Sequence, residues 1–324
     1  MSEQMATVEN IKTANRGYEL SCEFKGFPVT FVNALRRIIL SGIPTVAIRD
    51  VQILENTSQM PHEMLKHRVE MLQVNVTPDD ASTIRDANIQ LHVLPSKEPR
   101  TITTADFVME SGRENVMMRD RDFDTPSIFL RVRPNETVKI KAHLALDTVG
   151  VSQVCVATTG WHVDEELAKS ERKKYIESGK DVREFDNFYV QRCWSRDSAG
   201  RPNWIDMMIE SVGVLKAKDI LTLAVKILHK QVSEYIAYAG EHIQREQDEG
   251  SFTILSDIGG NTVGYLLQEV MYSDQNVNFV AFDQLHPLKE TKSLRFNTSK
   301  SPESILRAVK DSIEEYCSLV EKVL

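Results

Sequence analysis

Two stretches, one near each end of the chain, show the same order of elements: a strand, an amphipathic helix and a second strand. In the first stretch, alternating apolar and polar residues predict a strand over 18–24, and Val and Ile predict another over 45–54. Between them, apolar residues three and four apart predict a helix over 31–40. Such a unit cannot bury its apolar face alone, so its recurrence limits the folds open to this chain.

The second stretch repeats the pattern close to the C-terminus. We predict a strand over 252–255, a helix over 261–272 and a strand over 276–282. Residues 33–54 align with residues 264–285 without a gap, and the identities include Leu35 with Leu266, Val46 with Val277 and Leu54 with Leu285. The repeat is therefore one of pattern more than of residue identity.

A long helix with an apolar stripe is predicted downstream of each copy, over 217–247 and over 302–324. Ser301 is a plausible N-cap for the second of these, with Pro302 at the first helical position. Because such stripes need a partner helix, pairing the two copies would bury both sets. The predicted fold class is α+β, with two copies of one unit that pair within the chain.

A mostly β insertion interrupts the first copy. Short strands are predicted over 89–94, 101–108, 127–132 and 137–146. Residues 161–200 contain 17 charged residues, which favours a solvated segment with a helix over 164–177 and then either loop or flexible linker over 178–200. The predicted domains are 1–54 with 201–247, the insert 55–200, and 248–324.

Composition narrows the functional classes. The net charge of −8 argues against a protein that grips nucleic acid with most of its surface, and no apolar run approaches the roughly 18 residues that span a bilayer. The cysteines, Cys22, Cys155, Cys193 and Cys317, are far apart and form no C-x-x-C pair. A disulfide scaffold and a cysteine-rich zinc site are not expected, and a reducing intracellular compartment fits.

Catalytic motifs are missing from the sequence: it has no phosphate loop, nucleophile elbow or H-E-x-x-H. The glycine-rich segment 258–264 is interpreted as a tight turn that opens a helix. His67 and His162 offer the best starting points for an enzyme site, although helix packing and a helix boundary explain them more simply. Arg36 and Arg37 interrupt an apolar helix, and they are either solvated or grip a partner's carboxylates or carbonyls.

The segment N-A-L-R-R-I-I-L-S-G-I-P-T-V-A-I-R-D-V, residues 33–51, resembles a motif of the α-like subunits of cellular RNA polymerases. The stretches 55–57 and 67–68, and Glu210-Ser-Val-Gly, are similar to further motifs of the larger α-like subunit. The second copy resembles the small α-like partner, through 261–267, 279–282 and the His-Pro-Leu of 286–288. The two resemblances span about residues 14–323.

The resemblance implies that the two copies are dimerisation units, which form an intramolecular pseudo-dimer. This pseudo-dimer would be a non-catalytic assembly platform that needs no cofactor. It would contact the largest and second-largest polymerase subunits, with small subunits as further candidate partners. The residues expected at partner surfaces are Asn33, Leu35, Arg36, Arg37, Gly264, His286, Pro287 and Leu288. Arg36 and Arg37 would face the second-largest subunit, and the second copy would face the largest. No sequence-specific nucleic-acid contact, membrane contact or metal is expected.

Two departures from the family are visible. Gly260-Asn261 replaces the family's Asp-His, which puts contacts by those side chains in doubt, and only Cys155 and Cys193 stand where eukaryotic members bind zinc through four cysteines. Fusion of the two α-like subunits resembles the polymerases of large nucleocytoplasmic DNA viruses, which implies host cytoplasm, virion or nucleus. A soluble enzyme with a site around His67 and His162, and a homodimeric adaptor, remain as alternatives.

Overall fold

The structure is a computed structural model that describes residues 6–110, 113, 116–148, 155–284 and 286–324. The described residues form two compact units. The first unit takes in 6–39, 157–210 and 218–324, and the second takes in 40–156 and 211–217, in each case without the gaps just given. Among the helices that the structure describes, none combines the length and the apolar character that a membrane-spanning helix requires.

Fourteen strands and eight α-helices are described. The strands are β1 (Thr7–Ala14), β2 (Glu19–Lys25), β3 (Thr45–Asn56), β4 (Asn88–Val93), β5 (Arg100–Thr103), β6 (Val108–Met109), β7 (Ile128–Val132), β8 (Val138–Asp147), β9 (Cys155–Trp161), β10 (Trp204–Ser211), β11 (Gln244–Arg245), β12 (Ser251–Ser256), β13 (Val277–Asp283) and β14 (Lys292–Thr298). The helices are α1 (Val29–Ser41), α2 (His62–Glu70), α3 (Ala81–Asp86), α4 (Glu165–Glu177), α5 (Val182–Glu184), α6 (Ala217–His242), α7 (Gly260–Tyr272) and α8 (Pro302–Val323).

Two four-stranded sheets in the first unit have matching strand orders. One runs β1-β2-β10-β9 and the other runs β11-β12-β14-β13. Each places a helix, α1 or α7, directly after its second strand, and a long helix, α6 or α8, after its third strand. The predicted fold class, an α+β chain with two copies of one unit, is confirmed.

The predicted place of the strand over 45–54 is wrong. The strand itself exists as β3, but it pairs with β8 in the second unit, in the sheet β3-β8-β4-β6. The counterpart of β13 is β9, because each is the edge strand beside the third strand of its sheet. An apolar pattern predicts a strand but not the sheet that it joins, so the ungapped repeat fails after the helix. Leu285, which the alignment paired with Leu54, lies outside the described residues.

The two copies contact each other inside the first unit. Phe27 and Phe31 of the first copy lie 5.6 and 5.5 Å from Tyr316 of α8, measured between ring centroids. The backbone N–H of Thr30 donates to Glu269 Oε2 of α7 at 3.1 Å, and His229 of α6 lies 3.0 Å from Glu314 of α8. The apolar stripes of the long helices are buried, including Leu221 and Leu228 of α6 and Val309 and Ile313 of α8. The predicted pairing of the copies is therefore present in a single chain.

The second unit has its own core beneath β3, β8 and β4. Its largest fully buried side chains include Phe129, Leu65 and Ile89. The Arg68 guanidinium donates to the Phe129 carbonyl through Nε at 3.1 Å and Nη2 at 2.7 Å. Arg68 therefore ties α2 to β7, which is a structural role for one residue of the family-like His67-Arg68 pair.

Several predicted bounds change. The predicted helix 217–247 ends at His242, because Gln244 and Arg245 pair with β12 as the short strand β11. Residues 178–200 are not simply loop or linker, since α5 continues into a π-helical turn at Phe185–Tyr189 and a 3-10 turn at Val190–Arg192.

The domain bounds stay a prediction. The compact units divide the chain at other residues, because β9 and β10 share a sheet and so bring residues 157–200 into the first unit.

Candidate partner-binding surface

The exposed side of α1 carries three of the predicted partner residues. Asn33 and Arg37 are exposed, and Arg36 is half-buried. The Arg36 guanidinium donates through Nε and Nη2 to Asn33 Oδ1, at 3.1 and 2.9 Å. Because one carbonyl oxygen receives both donors, Asn33 fixes the direction of the guanidinium and leaves its remaining N–H groups for an acceptor.

Leu35 does not belong to this surface. Its side chain is fully buried beside Phe31 and Ile39 on the inner face of α1. Neighbouring helical positions point about 100° apart, so Leu35 and Arg36 cannot face the same partner. Leu35 anchors the helix that presents Asn33 and Arg36.

A groove of about 530 Å³ lies between α1 and β9. Its lining includes Thr30, Asn33 and Arg36 from α1, and Thr158, Thr159 and Trp161 from β9. β9 is the edge strand of its sheet, and Trp161 is 43% exposed. The groove therefore joins a positive charge to an accessible strand edge, a combination suited to a polypeptide partner.

The predicted partner residues of the second copy, like those of α1, include one buried residue and several exposed ones. Gly264 is buried in α7, where a Cβ atom would lie 2.1 Å from ring atoms of Phe282. His286, Pro287 and Leu288 form an exposed loop, and Leu288 is 90% exposed. Only the loop residues are available to a partner, and Gly264 permits close packing of α7 on β13.

The loop after β13 is held by its own hydrogen bonds. Gln284 Nε2 donates to the Lys289 carbonyl at 2.8 Å and to that of Pro287 at 3.4 Å. The Leu288 N–H donates to His286 Nδ1 at 3.1 Å. These bonds close the loop and project Leu288 outward.

The two histidines of the enzyme alternative lie in different compact units. His67 is an exposed residue of α2 in the second unit, whereas His162 follows β9 in the first unit. Neither unit therefore gathers both histidines. The glycine-rich segment is the predicted tight turn, since Gly259 and Gly260 both have positive φ angles, of 67° and 55°, at the start of α7.

A polar cluster that the sequence did not reveal lies on the outer face of the first sheet. Asp206 of β10 pairs with Glu23 of β2 in register, and His162 Nδ1 lies 2.8 Å from Asp206 Oδ1. The His162 ring stacks on Trp204 at 4.1 Å, and Trp204 Nε1 donates to Glu23 Oε2 at 3.1 Å. One donor atom from each of Glu23, His162 and Asp206 lies within 4.8 Å of the others.

The cysteines offer no comparable group. Cys22, Cys193 and Cys317 are buried and free, and the side chain of Cys155 lies outside the described part of the chain. Burial raises the pKa of the Cys22 thiol to about 12, with the negative charges of Glu23 and Asp206 adding to the effect. A thiol in this state is a poor nucleophile and a poor metal ligand.

The two copies match a known domain family. The RNA polymerase Rpb3/Rpb11 dimerisation domain matches residues 21–232 and, in a second form, residues 255–323. The chain belongs to this family. The first match includes α1, β10 and part of α6, and the second includes α7 and all of α8, so the repeat is a tandem of family domains.

Relatives agree with this assignment. The chain is 32% identical over 108 residues to the DNA-directed RNA polymerase subunit Rpo3 of Methanocaldococcus jannaschii, covering 33% of this chain and 53% of that subunit. It is 28% identical to the DNA-directed RNA polymerases I and III subunit rpac1 of Dictyostelium discoideum, over 64% of this chain and 75% of the relative. It is 22% identical to Rpo3 of Pyrococcus furiosus, over 66% of this chain and 90% of the relative.

Proposed function

We propose that this chain is a non-catalytic assembly subunit of a DNA-directed RNA polymerase, which bridges the largest and second-largest subunits. The observation that carries the proposal is the presence of two Rpb3/Rpb11 dimerisation domains in one chain, whose helices contact each other within the first compact unit. Two relatives are named polymerase subunits Rpo3 and one is named a subunit of polymerases I and III. Transcription is then the process that the chain serves.

The packing explains how such a subunit works. The helices of the two copies cover each other's apolar stripes, so the unit needs no second chain to complete its core. Covalent linkage of the copies gives each a high effective concentration for the other, which favours the paired state before any large subunit binds. A preformed platform then offers two different surfaces, one from each copy.

The first surface is the groove between α1 and β9, which we assign to the second-largest subunit. Arg36, held by Asn33, presents a charged fork at its rim, and guanidinium groups suit carboxylate or carbonyl partners at interfaces. Arg37 extends the same exposed face. The second surface is the loop 286–288, which we assign to the largest subunit because Leu288 presents an apolar side chain outside the fold.

The test is reconstitution of the complex with the double variant Arg36→Ala, Arg37→Ala. We expect its co-purification with the second-largest subunit to fall by tenfold or more, in line with about 1.4 kcal/mol of lost binding free energy. Circular dichroism should show the isolated variant still folded, because both substitutions lie at or near the surface.

The matched control is Lys226→Ala with Lys230→Ala, two cations on the exposed side of α6. This control should assemble as the parent chain does. Undiminished assembly of the arginine variant would contradict the assigned surface, and failure of the parent chain to bind either large subunit would contradict the polymerase assignment itself.

The remaining assignments follow from this function. Nucleotide chemistry belongs to the large subunits with their own metal ions, and this chain needs no cofactor for it. Fusion of the two copies supports an origin in a large nucleocytoplasmic DNA virus, with assembly in the host cytoplasm or nucleus and packaging in the virion.

A further inference from the structure

We propose that Glu23, His162 and Asp206 bind a divalent first-row transition-metal ion on the outer face of the first sheet. The proposal concerns the fold of this chain and does not depend on the polymerase assignment. The three residues come from three neighbouring segments: β2, β10 and the residue that follows β9. The backbone N–H of His162 donates to the Trp204 carbonyl at 3.0 Å, which fixes His162 beside β10.

The geometry fits one ion. The donor atoms already lie within 4.8 Å of one another. Ligands on a zinc ion, at about 2.0–2.2 Å from the metal, are separated by roughly 3.4 Å when the site is tetrahedral. Closing the present cluster around an ion therefore requires side-chain movements of about 1 Å or less, and water would supply the fourth ligand.

Electrostatics favours a cation at this place. Glu23 pairs in register with Glu9 on one side and with Asp206 on the other, so three carboxylates form a row across three strands. Like charges directly opposite each other destabilise a sheet. Among the described residues, no Lys or Arg forms an ion pair with Glu23 or Asp206, and the nearby Lys25 lies instead over the Trp204 ring, 4.1 Å from its centroid.

The surrounding residues also orient the ligands. Glu23 accepts from Trp204 Nε1 at 3.1 Å through Oε2 and from Asn10 Nδ2 at 3.0 Å through Oε1. Stacking on Trp204 holds the His162 ring in place. Such outer contacts fix the direction of ligand atoms, and they are typical of metal sites.

The donor set selects the class of metal. Magnesium and calcium prefer oxygen ligands alone, whereas an imidazole nitrogen beside carboxylates suits zinc, cobalt or nickel. Scattered cysteines and the spacing of histidines along the chain predict no metal site, because a linear pattern does not show which residues strand pairing brings together.

The test uses the full chain, freed of metal with a chelator and titrated with Zn²⁺ by isothermal calorimetry. We expect one equivalent to bind with micromolar or tighter affinity. His162→Ala and Asp206→Asn should each weaken binding by more than about tenfold. Asp206→Asn keeps the side-chain shape, so it decides the matter if His162→Ala lowers the thermal stability of the metal-free chain.

Two matched controls accompany these variants: Glu19→Gln, on the same face of β2, and His92→Ala, an exposed histidine of β4 in the second unit. Both should bind Zn²⁺ as the parent chain does. Co²⁺ offers a second measurement, because a paramagnetic ion on His162 should quench the fluorescence of the stacked Trp204, and His162→Ala should abolish that quenching. Absence of micromolar binding by the parent chain, or equal binding by His162→Ala and Asp206→Asn, would overturn the proposal.

Discussion

At the scale of the residue, the family-like motifs contain two kinds of residue: some are accessible to a partner, and others pack inside the fold. Of the residues expected at partner surfaces, Leu35 is fully buried and Gly264 faces Phe282, whereas Asn33, Arg36 and Leu288 are accessible to different degrees. The family-like pattern therefore records two physical demands at once. The buried members place the helix, and the accessible ones are free to meet another protein.

The substitution Gly264→Ala should be destabilising. Its Cβ would lie 2.1 Å from the Phe282 ring, closer than real Cβ contacts, and Phe282 is itself buried against α7. We expect a loss of about 1–3 kcal/mol in the free energy of unfolding, as is usual for overpacking. Urea titration followed by circular dichroism measures it.

Gly240→Ala is the matched control for this prediction. Gly240 lies in α6, is exposed, and an added Cβ there meets nothing within 4 Å. Alanine should stabilise that helix by about 0.5–1 kcal/mol because it loses less backbone entropy on folding. Equal effects of the two substitutions would show that the close approach of α7 to Phe282 is not a constraint.

At the scale of the element, the short strand β11 depends on side-chain contacts from its neighbours. Glu246 follows β11, and its carboxylate accepts from Arg295 Nε and Nη2 of β14 at 2.8 and 2.6 Å, and from the Thr253 hydroxyl of β12. These hydrogen bonds, with the positive charge of Arg295, lower the pKa of Glu246 from 4.5 to about 2. They hold the junction between the two copies against the second sheet.

Loss of this contact should depend on pH. Because the pKa of Glu246 is lower in the folded chain, its stabilising contribution is present above about pH 4.5 and is lost as the pH falls toward 2. Glu246→Gln should therefore lower the Tm at pH 7, and the difference from the parent chain should shrink below pH 4.5. Differential scanning calorimetry across this range measures it.

Glu241→Gln serves as the control, since Glu241 is exposed on α6 and forms no ion pair among the described residues. Its Tm should follow that of the parent chain at every pH. A constant Tm difference for Glu246→Gln down to pH 3 would contradict the assigned role of its ionised form.

At the scale of the whole molecule, the chain carries both members of a dimer. The contacts of Phe27 and Phe31 with Tyr316, and of His229 with Glu314, join the copies within the first unit. The apolar stripes of the long helices, which would otherwise favour association with a second chain, are buried within the first unit. Within the described residues, the stripes of the long helices are therefore already occupied, which argues against the homodimeric adaptor.

The isolated chain should therefore be a monomer. Size-exclusion chromatography with light scattering should give a mass near 36.9 kDa at micromolar concentration. A concentration-dependent mass near twice that value would favour the homodimeric adaptor. Phe31→Ala is a positive control for association. It removes a fully buried aromatic ring from the contact between the copies, so apolar surface becomes exposed and the variant should associate or aggregate.

Much of the fold could be predicted locally. The spacing of Phe31, Leu35 and Ile38 predicted α1, and the stripes of α6 and α8 predicted helices that need partners. Strands β1, β9, β10 and β14 have no counterpart among the predicted strands, and β10 pairs with a strand, β2, that lies far from it in the sequence. The register of Asp206 with Glu23 joins residues separated by more than 180 positions, as the contact of Trp204 with Glu23 shows.

The sequence by itself determined the strand and helices that the two copies share, the intramolecular pairing of those helices and the family to which both copies belong. These properties can be inferred from hydrophobic periodicity and from motifs, both of which involve residues close together in the sequence. Only the tertiary structure showed that β3 pairs with strands of the insert and that β9 is the edge strand of the first sheet. It also showed that His162 lies close to Glu23 and Asp206. Strand pairing and sheet register are set by contacts between distant segments, and a linear pattern carries no record of which segments meet.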